Sequence, residues 1–235
     1  MSIPNPVKYG EQGYLIQFDE KISLDISHKV HQLTHALETQ SIPGIKSLIP
    51  AYSSLTVYID PHNFRLSQLE SFLESWQAYE ADHQAEGRIL KIPVCYGGKY
   101  GPDLESLAEY HQLSAEEMII LHCNNLYRIY NFGFLPGFAY LGNVPTEKAS
   151  PRLGTPRTRV AAGSVAITGK QTAIYPSETA AGWQVIGRTP KSVLNPALEV
   201  PFLFKAGDQI NFYPIDEERF LELSKDPLDW QMLYG

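Results

Sequence analysis

Short apolar strands and two amphipathic helices alternate along the first 90 residues. Ser23 precedes one helix, and Ser67 with Glu70 forms a capping box before the other. In order, we predict a strand at Gly13–Asp19, a helix with Ile26, Val30, Leu33 and Leu37 on its apolar face, strands at Ile45–Pro50 and Leu55–Asp60, a helix with Leu69, Phe72, Leu73 and Trp76 on its apolar face, and a strand at Arg88–Cys95.

This element order, β-α-β-β-α-β, is that of a ferredoxin-like unit. We therefore predict a ferredoxin-like domain at residues 1–90 and a second domain at residues 91–235. The polar run Glu80–Gly87 is the most linker-like stretch of the chain. The strand Arg88–Cys95 follows it directly and could belong to either domain.

The second domain begins with two short helices and then becomes rich in short strands. Ser114 and Glu117 form a capping box before the second of these helices. Gly and Pro separate the later apolar runs about every ten residues, which predicts a compact β-barrel or sandwich and an α+β fold overall. The predicted strands are Leu126–Phe132, Ser164–Thr168, Thr172–Tyr175, Trp183–Ile186 and Gln209–Pro214, and a helix follows at Glu217–Ser224.

Composition and charge exclude several classes of partner. The 235 residues carry a net charge of −7, which argues against nucleic-acid or anionic-membrane partners. The N-terminal sequence lacks a secretion signal and no apolar run is long enough for a membrane span, so we expect a cytoplasmic protein. The two cysteines, Cys95 and Cys123, are too few for a disulfide framework and are expected to be reduced.

Positive charge is concentrated between Pro151 and Lys191, where six basic residues accompany a single acid. Such a concentration is unfavourable unless it faces an anion, so we expect it to bind a carboxylate or a phosphate. Arg152, Arg157 and Arg188 each stand beside Pro or Gly, a setting that pre-organises a guanidinium for this task. Five aromatic residues could form apolar walls for the pocket or belong to the core: Phe134, Phe138, Tyr140, Tyr175 and Trp183.

Familiar catalytic motifs are incomplete in this chain. Ser164 lies in AGSVAITG, which does not match the G-x-S-x-G nucleophile elbow. The pair Gly169–Lys170 precedes Gln171 and lacks the upstream glycine of a P-loop. No metal site is predicted, because the histidines that share one helical face in the first domain have no carboxylate among them.

His122 closes a helix just before the strand Leu126–Phe132. Site residues are often presented at the ends of elements, so His122 is a candidate general base. A histidine at a helix C-terminus is equally suited to packing, where the helix dipole favours it. Both interpretations remain open at this point.

Three blocks of the sequence resemble a known family: IPVCYGGKYGPDLESLA, LHCNNLYRIYNFGFLPGFAYLG and PRLGTPRTRVAAGSVAITGKQTAIYPSETAAGWQVIGRTP. They are similar to the signature blocks of the family that contains allophanate-hydrolase-subunit-1-like proteins, the B subunits of 5-oxoprolinases and Kip-type inhibitors of a sporulation histidine kinase. The resemblance implies a smaller N-terminal α/β domain followed by a cyclophilin-like β-barrel. The chain departs from the family pattern at Ala161 and at Ala180–Ala181, where Pro and Gly are replaced, which is expected to soften the loop backbone or to remove its freedom at positive φ.

The resemblance also implies a function. The chain is expected to be the B subunit of a 5-oxoprolinase complex that uses ATP to open 5-oxoproline to glutamate, with a homologous C subunit and an A subunit as its partners. ATP is expected in the complex, with no cofactor tightly bound to this chain. Two other functions stay open: inhibition of a histidine kinase by direct binding, and carboxyl transfer to a urea-like amide.

The resemblance further implies roles for individual residues. Arg157, Arg188 and Thr189 are expected to bind carboxylate or phosphate oxygens, Gln171 and Ser164 to hydrogen-bond the substrate amide, and Tyr175, Phe138 and Tyr140 to shape the pocket. Arg188 and His122 are the candidate catalytic residues, with His122 transferring a proton.

Overall fold

The computed structural model describes residues 4–18, 23–76, 87–142, 144 and 149–233. The chain divides into two compact units, Met1–Gln84 and Ala85–Gly235. Asp19 and all of the predicted linker except Gly87 lie outside the described residues. None of the described helices is both long and apolar enough to cross a membrane.

The first unit is a four-stranded antiparallel sheet with two helices. Its elements are β1 (Val7–Lys8), β2 (Gly13–Gln17), α1 (Leu24–Gln40), β3 (Ile45–Pro50), β4 (Ser54–Ile59) and α2 (Leu66–Ser75), and the strand order is β1-β2-β4-β3. The apolar faces of both helices pack on the sheet, with Leu33 and Leu69 fully buried beside Val57. Burial of these faces stabilises the unit.

Of the two helix caps predicted for this unit, one is present in the structure and the other is not. The Ser23 hydroxyl accepts a hydrogen bond from the backbone N–H of Ile26 at 3.2 Å, which confirms the predicted cap of α1. The predicted capping box at Ser67 is wrong. Helix α2 begins two residues earlier than predicted, at Leu66, and its N-cap is Arg65, whose side chain makes no capping hydrogen bond.

The ferredoxin-like assignment of the first unit is not confirmed. It required Arg88–Cys95 as the fourth strand of the sheet, but that strand lies in the second unit. The fourth strand of the observed sheet is instead β1, which pairs with β2. A two-residue strand with Val7 63% exposed has no apolar alternation from which it could be predicted.

A closed barrel of seven strands forms the second unit, which confirms the barrel alternative of the prediction. The strands are β5 (Ile89–Tyr96), β6 (Leu126–Phe132), β7 (Ala139–Leu141), β9 (Ser164–Thr168), β10 (Gln171–Ile174), β12 (Gln184–Arg188) and β13 (Gln209–Ile215), in the order β10-β7-β6-β13-β5-β12-β9. A separate ribbon pairs β8 (Arg157–Val160) with β11 (Thr179–Ala181), and the helical elements are α3 (Leu104–Tyr110), α4 (Ala115–Cys123), α5 (Glu217–Leu223) and a 3₁₀ turn at Gln231–Leu233. The predicted capping box at Ser114 and Glu117 is present at the start of α4.

One seam of the barrel joins strands that are far apart in the sequence. Strand β13 pairs in parallel with β5, from Gln209 opposite Ile89 onward, whereas the other barrel pairs are antiparallel. Beside this seam the Arg88 guanidinium forms an ion pair with the buried carboxylate of Asp208. The seam therefore connects the first strand of the barrel to its last.

The barrel wall has an inner core and a smaller outer core. Side chains alternate between the two faces of each strand, so Val165 and Ile167 of β9 point into the barrel while Ala166 points outward. The ribbon of β8 and β11 contributes Val160 and Ala181 to the outer core. The outer face of the wall is thus partly covered, and the predicted pocket residues lie there.

Candidate functional site

An aromatic cluster covers the outer face of the barrel wall. Ala166 and Ala173 stand opposite each other on β9 and β10, and their small side chains leave room for larger rings. The ring centroid of Phe138 lies 4.9 Å from Tyr140, 5.2 Å from Tyr175 and 5.7 Å from Trp183. These edge-to-face arrangements are favourable for aromatic pairs. Three predicted pocket residues, Phe138, Tyr140 and Tyr175, therefore lie together.

Arg152 is positioned beside this cluster by its two neighbours. The Pro151 carbonyl accepts a hydrogen bond from Gln184 Nε2 at 3.2 Å, and the Leu153 N–H donates to the Gly182 carbonyl at 2.8 Å. These bonds fix the backbone of Arg152 alongside Trp183. The exposed guanidinium has no ion pair with any described carboxylate, so its charge is available to a ligand.

The charge of Arg152 acts on two tyrosine hydroxyls of the cluster. Burial raises the pKa of Tyr140, and it raises the pKa of Tyr175 to about 12. Arg152 opposes both increases because its positive charge favours the phenolate form. Both tyrosines are neutral hydrogen-bonding groups at neutral pH. The arrangement combines two phenols with one guanidinium.

A turn at Gly163 brings three further predicted residues, Ser164, Arg188 and Thr189, close to Tyr175. The Gly163 N–H donates to the Tyr175 carbonyl at 2.7 Å, and the Thr189 N–H donates to the Gly163 carbonyl at 2.9 Å. Ser164 stands opposite Arg188 in the pairing of β9 with β12, and Arg188 Nε donates to the Ala162 carbonyl at 2.8 Å. Arg188 is thereby held against the turn through its Nε atom.

Glycine is required at the centre of this turn. Gly163 has φ +80°, and a Cβ there would lie 2.5 Å from the Thr189 carbonyl oxygen. The departures at Ala161 and Ala180–Ala181 flank the same region, and Ala181 is buried in the outer core whereas Ala180 is exposed. Their predicted effect on the loops, a softer backbone or less freedom at positive φ, stays a prediction.

Arg157 is held within the protein by Asp103. Its Nη1 and Nη2 atoms donate to the two oxygens of the Asp103 carboxylate at 2.7 and 2.6 Å. The same carboxylate also accepts from the Val185 N–H at 2.6 Å. The fork of the guanidinium that would bind a substrate carboxylate is therefore committed to a structural pair that joins β8 to the start of α3.

Gln171 lies away from the other predicted residues. It pairs with Thr168 beside the β9–β10 turn, whereas Tyr175 follows the opposite end of β10. At roughly 3.3 Å per residue the two positions are about 13 Å apart along the strand. The structure does not bring Gln171 to the Gly163 turn.

His122 is hydrogen-bonded through both ring nitrogens inside the barrel. Tyr96 Oη lies 2.7 Å from Nδ1, and Thr172 Oγ1 lies 3.1 Å from Nε2. Thr172 donates its single hydroxyl hydrogen to the Ala166 carbonyl at 3.0 Å, so it must accept from the Nε2–H of His122. Nδ1 then accepts from the Tyr96 hydroxyl. These bonds specify a neutral histidine with its proton on Nε2.

The surroundings of His122 favour packing over proton transfer. The side chain is 1% exposed and its ring stacks on Phe212 with centroids 4.6 Å apart. Burial lowers the pKa of His122 to about 3. Of the two interpretations left open by the sequence, the geometry supports a satisfied core histidine.

Sequence reasoning missed the partners that hold these residues. Asp103, Tyr96 and Thr172 are 54, 26 and 50 positions from the residues they bind. Asp103 offered one signal, because it precedes α3 at a position where a carboxylate commonly caps a helix. Its side chain makes no capping hydrogen bond, since it faces Arg157 and Val185 instead.

The site therefore offers hydrogen bonds and positive charge more than acid–base groups. Its phenols are neutral and its guanidinium groups are permanently charged, which suits a small anion with a polar, uncharged portion. Within the described part of the chain, no group of three or more His, Cys, Asp or Glu side chains is placed to hold a metal ion.

Comparison with known proteins shows the family of this chain. A family model described as carboxyltransferase domain, subdomain C and D, matches residues 4–204. This match spans most of the chain, which therefore belongs to the carboxyltransferase subdomain C and D family. The 5-oxoprolinase B subunit of Bacillus subtilis (strain 168) is 38% identical over 222 residues, which cover 90% of this chain and 92% of that protein. The resemblance seen in the sequence is confirmed.

Two solved structures share the fold. The crystal structure of TTHA0988 matches with a TM-score of 0.76 and 33% identity, covering 88% of this chain and 40% of that chain. This chain thus spans less than half the length of TTHA0988. The urea amidolyase of K. lactis matches with a TM-score of 0.81 at 18% identity, covering 98% of this chain and 16% of that chain, which is a likeness of fold alone.

Proposed function

We propose that this chain is the B subunit of an ATP-dependent 5-oxoprolinase that, together with its A and C subunits, opens 5-oxoproline to glutamate. The 38% identity to a 5-oxoprolinase B subunit over nearly the full length of both chains carries the proposal. The aromatic cluster on the outer face of the barrel, with Arg152 and Arg188 near it, supports the proposal, because 5-oxoproline is a small ring that carries one carboxylate and one amide. Aromatic walls flanked by arginines suit such a ligand.

The reaction breaks the amide C–N bond of the lactam. The oxygen of water joins the carbonyl carbon, and a proton passes to the leaving nitrogen, while ATP hydrolysis in the complex makes the opening favourable. Within this proposal Arg188 stabilises negative charge near the Gly163 turn, and Ser164 and Thr189 border it. His122 lies outside this group, because both of its ring nitrogens are bonded in the core.

Reconstitution tests the proposal. The chain is co-expressed with the homologues of the A and C subunits from its own genome, and glutamate release from 5-oxoproline is measured with and without ATP. We expect ATP-dependent release that disappears when this chain is omitted. Equal activity of the A and C subunits without this chain would show the proposal to be wrong.

Two arginines from the same segment provide a matched comparison. Arg188→Gln should lower kcat/KM at least tenfold, which corresponds to about 1.4 kcal/mol of lost transition-state stabilisation. Arg159→Gln removes an exposed arginine that pairs with Glu178 and should change kcat/KM less than about twofold. Similar losses in both variants would indicate a general effect of charge and not a site at Arg188.

Carboxyl transfer to a urea-like amide is a second candidate, favoured by the carboxyltransferase family match and by the fold shared with urea amidolyase. This function requires a biotinylated partner. Avidin would then abolish activity, and labelled bicarbonate would enter the product. A 5-oxoprolinase would be insensitive to avidin, so one assay separates the two candidates.

A further inference from the structure

Lys191 is a lysine that the fold buries. Its surface is 2% exposed, although lysine is among the residues least often buried. Its Nζ donates to the Asp226 carbonyl at 2.7 Å, and within the described part of the chain no carboxylate forms an ion pair with it. Removing an ammonium group from water is unfavourable, so a lysine in this place points to a constraint on the loop that carries it.

The neighbouring residue, Ser192, bonds to the same segment of the chain. The Ser192 N–H donates to the Pro227 carbonyl at 2.8 Å, and Trp230 Nε1 donates to the Ser192 carbonyl at 2.7 Å. The ring of Trp230 also packs against the inner core of the barrel. Residues 226–230, which lie beyond residue 204 where the family match ends, are thus anchored in the core and bonded to the loop that follows β12.

Thr189 connects this loop to the Gly163 turn. Its Oγ1 accepts from the Lys191 N–H at 3.3 Å, and its own N–H donates to the Gly163 carbonyl at 2.9 Å. Thr189 is buried, so water does not compete for either bond. Arg188 directly precedes Thr189, and its Nε donates to the Ala162 carbonyl beside Gly163. The backbone and the side chain of Arg188 are therefore both fixed at this turn.

The position of Arg188 depends on the turn more than on contacts of its own. Its side chain is half-buried, and among the described residues its hydrogen-bond partner is the Ala162 carbonyl. A group that stabilises a transition state must be held closely in place, and a misplacement of about 1 Å can lower the rate on the order of a hundredfold. Residues 226–230 reach Arg188 through Lys191 and Thr189 without taking part in the site.

We propose that Lys191 and Trp230 are positioning residues, which bind residues 226–230 to the loop after β12 and thereby hold Arg188 at the Gly163 turn. The inference rests on the proposed 5-oxoprolinase function, and it adds to that function a segment outside the site. Both residues act through Thr189, and neither is assigned a contact with the substrate.

Kinetics of the reconstituted complex test this role. Lys191→Met removes the Nζ donor and keeps a long side chain, and Trp230→Phe removes the Nε1 donor and keeps an aromatic ring. Each variant should lower kcat for 5-oxoproline about three- to tenfold and change KM less than about twofold, because a misplaced Arg188 stabilises the transition state less. In the Arg188→Gln background the same changes should alter kcat less than about 1.5-fold.

Amide hydrogen exchange on the chain alone tests the connection without an activity. The Thr189 N–H is bonded at the turn, and the Ile129 N–H donates to the Asp208 carbonyl at 2.9 Å elsewhere in the barrel. The ratio of the Thr189 exchange rate to the Ile129 exchange rate corrects for any loss of global stability. This ratio should rise at least about fivefold in Lys191→Met and in Trp230→Phe. An unchanged ratio in both variants would overturn the inference.

Asn211→Leu is the control for a loss of stability alone. The Asn211 amide donates to the Cys123 carbonyl at 3.0 Å, and neither residue belongs to the loop or to the Gly163 turn. This variant should lower Tm and leave both kcat and the exchange ratio unchanged. If it lowers kcat as much as Lys191→Met does at a similar Tm, the effect is one of general stability and the inference is wrong.

The outcomes separate this inference from the proposed function. If the unmodified complex turns over 5-oxoproline and the variants lower kcat equally with and without Arg188, the inference is overturned and the 5-oxoprolinase proposal stands. A complex without ATP-dependent turnover of 5-oxoproline refutes both. Losses of kcat that disappear in the Arg188→Gln background, together with faster relative exchange at Thr189, support the positioning role.

Discussion

Acidification should destabilise the barrel through His122. Burial holds the pKa of His122 at about 3 in the folded chain, whereas an unfolded histidine titrates near 6.5. Between these two values the unfolded chain binds a proton that the folded chain does not. The stability contributed by neutral His122 is therefore complete above about pH 6.5 and is lost as the pH falls toward 3.

The size of this effect follows from the difference in pKa. Each pH unit inside the window changes the free energy of unfolding by about 1.4 kcal/mol per histidine. From pH 7 to pH 5 the loss is about 2 kcal/mol. Carboxylates add their own slope, so the quantity to measure is the difference between the unchanged chain and a variant without this histidine.

Urea unfolding at pH 7, 6 and 5 measures that difference. Trp76→Phe removes the tryptophan of the first unit, so fluorescence then reports on Trp183 and Trp230 of the barrel. His122→Gln should lower stability at pH 7 but lose about 2 kcal/mol less on acidification to pH 5. Thr172→Val is the control, because it removes one hydrogen bond of His122 and keeps the titrating group. Equal pH slopes in His122→Gln and the unchanged chain would refute the reasoning.

Two other predictions concern stability, and each has its control in the same unit. Asp103→Asn weakens a buried ion pair with Arg157 and should lower the free energy of unfolding by about 2–4 kcal/mol. Glu178→Gln weakens an exposed ion pair and should change the free energy of unfolding by less than about 0.5 kcal/mol. Equal effects of the two variants would contradict a structural role for the Asp103–Arg157 pair. Gly163→Ala places a Cβ at positive φ and should lower Tm by roughly 4–10 °C, whereas Gly154→Ala meets no neighbouring atom within 4 Å and should leave Tm nearly unchanged. A tolerated alanine at Gly163 would show that the turn can relax.

Local signals in the sequence predicted the elements that depend on nearby residues. The caps at Ser23 and Ser114 are present because each hydroxyl bonds a backbone N–H three residues away. The predicted cap at Ser67 is absent although its pattern is the same, since the helix begins two residues earlier. A capping-box pattern in the sequence therefore does not by itself determine the residue at which a helix begins.

Contacts between residues that are far apart in the chain could not be predicted from the sequence. The strand Ile89–Tyr96 could have belonged to either unit, and its membership is decided by β13, which follows more than 100 residues later. The same applies to Arg157, whose sequence setting suggested a ligand but whose partner is Asp103. The bulge in β6 gave no signal either, because it is seen only in the register of β6 with β7.

The parallel seam between β5 and β13 has a consequence for synthesis in the cell. The chain emerges from the ribosome from its N-terminus, so β5 must wait for about 120 further residues before its neighbour Gln209–Ile215 exists. Until then one edge of β5 and one edge of β6 stay unpaired, and such edges recruit strands from other chains. Nascent or truncated chains that end before Gln209 should therefore be prone to aggregation, and a chaperone that shields strand edges should matter more for this barrel than for the unit that precedes it.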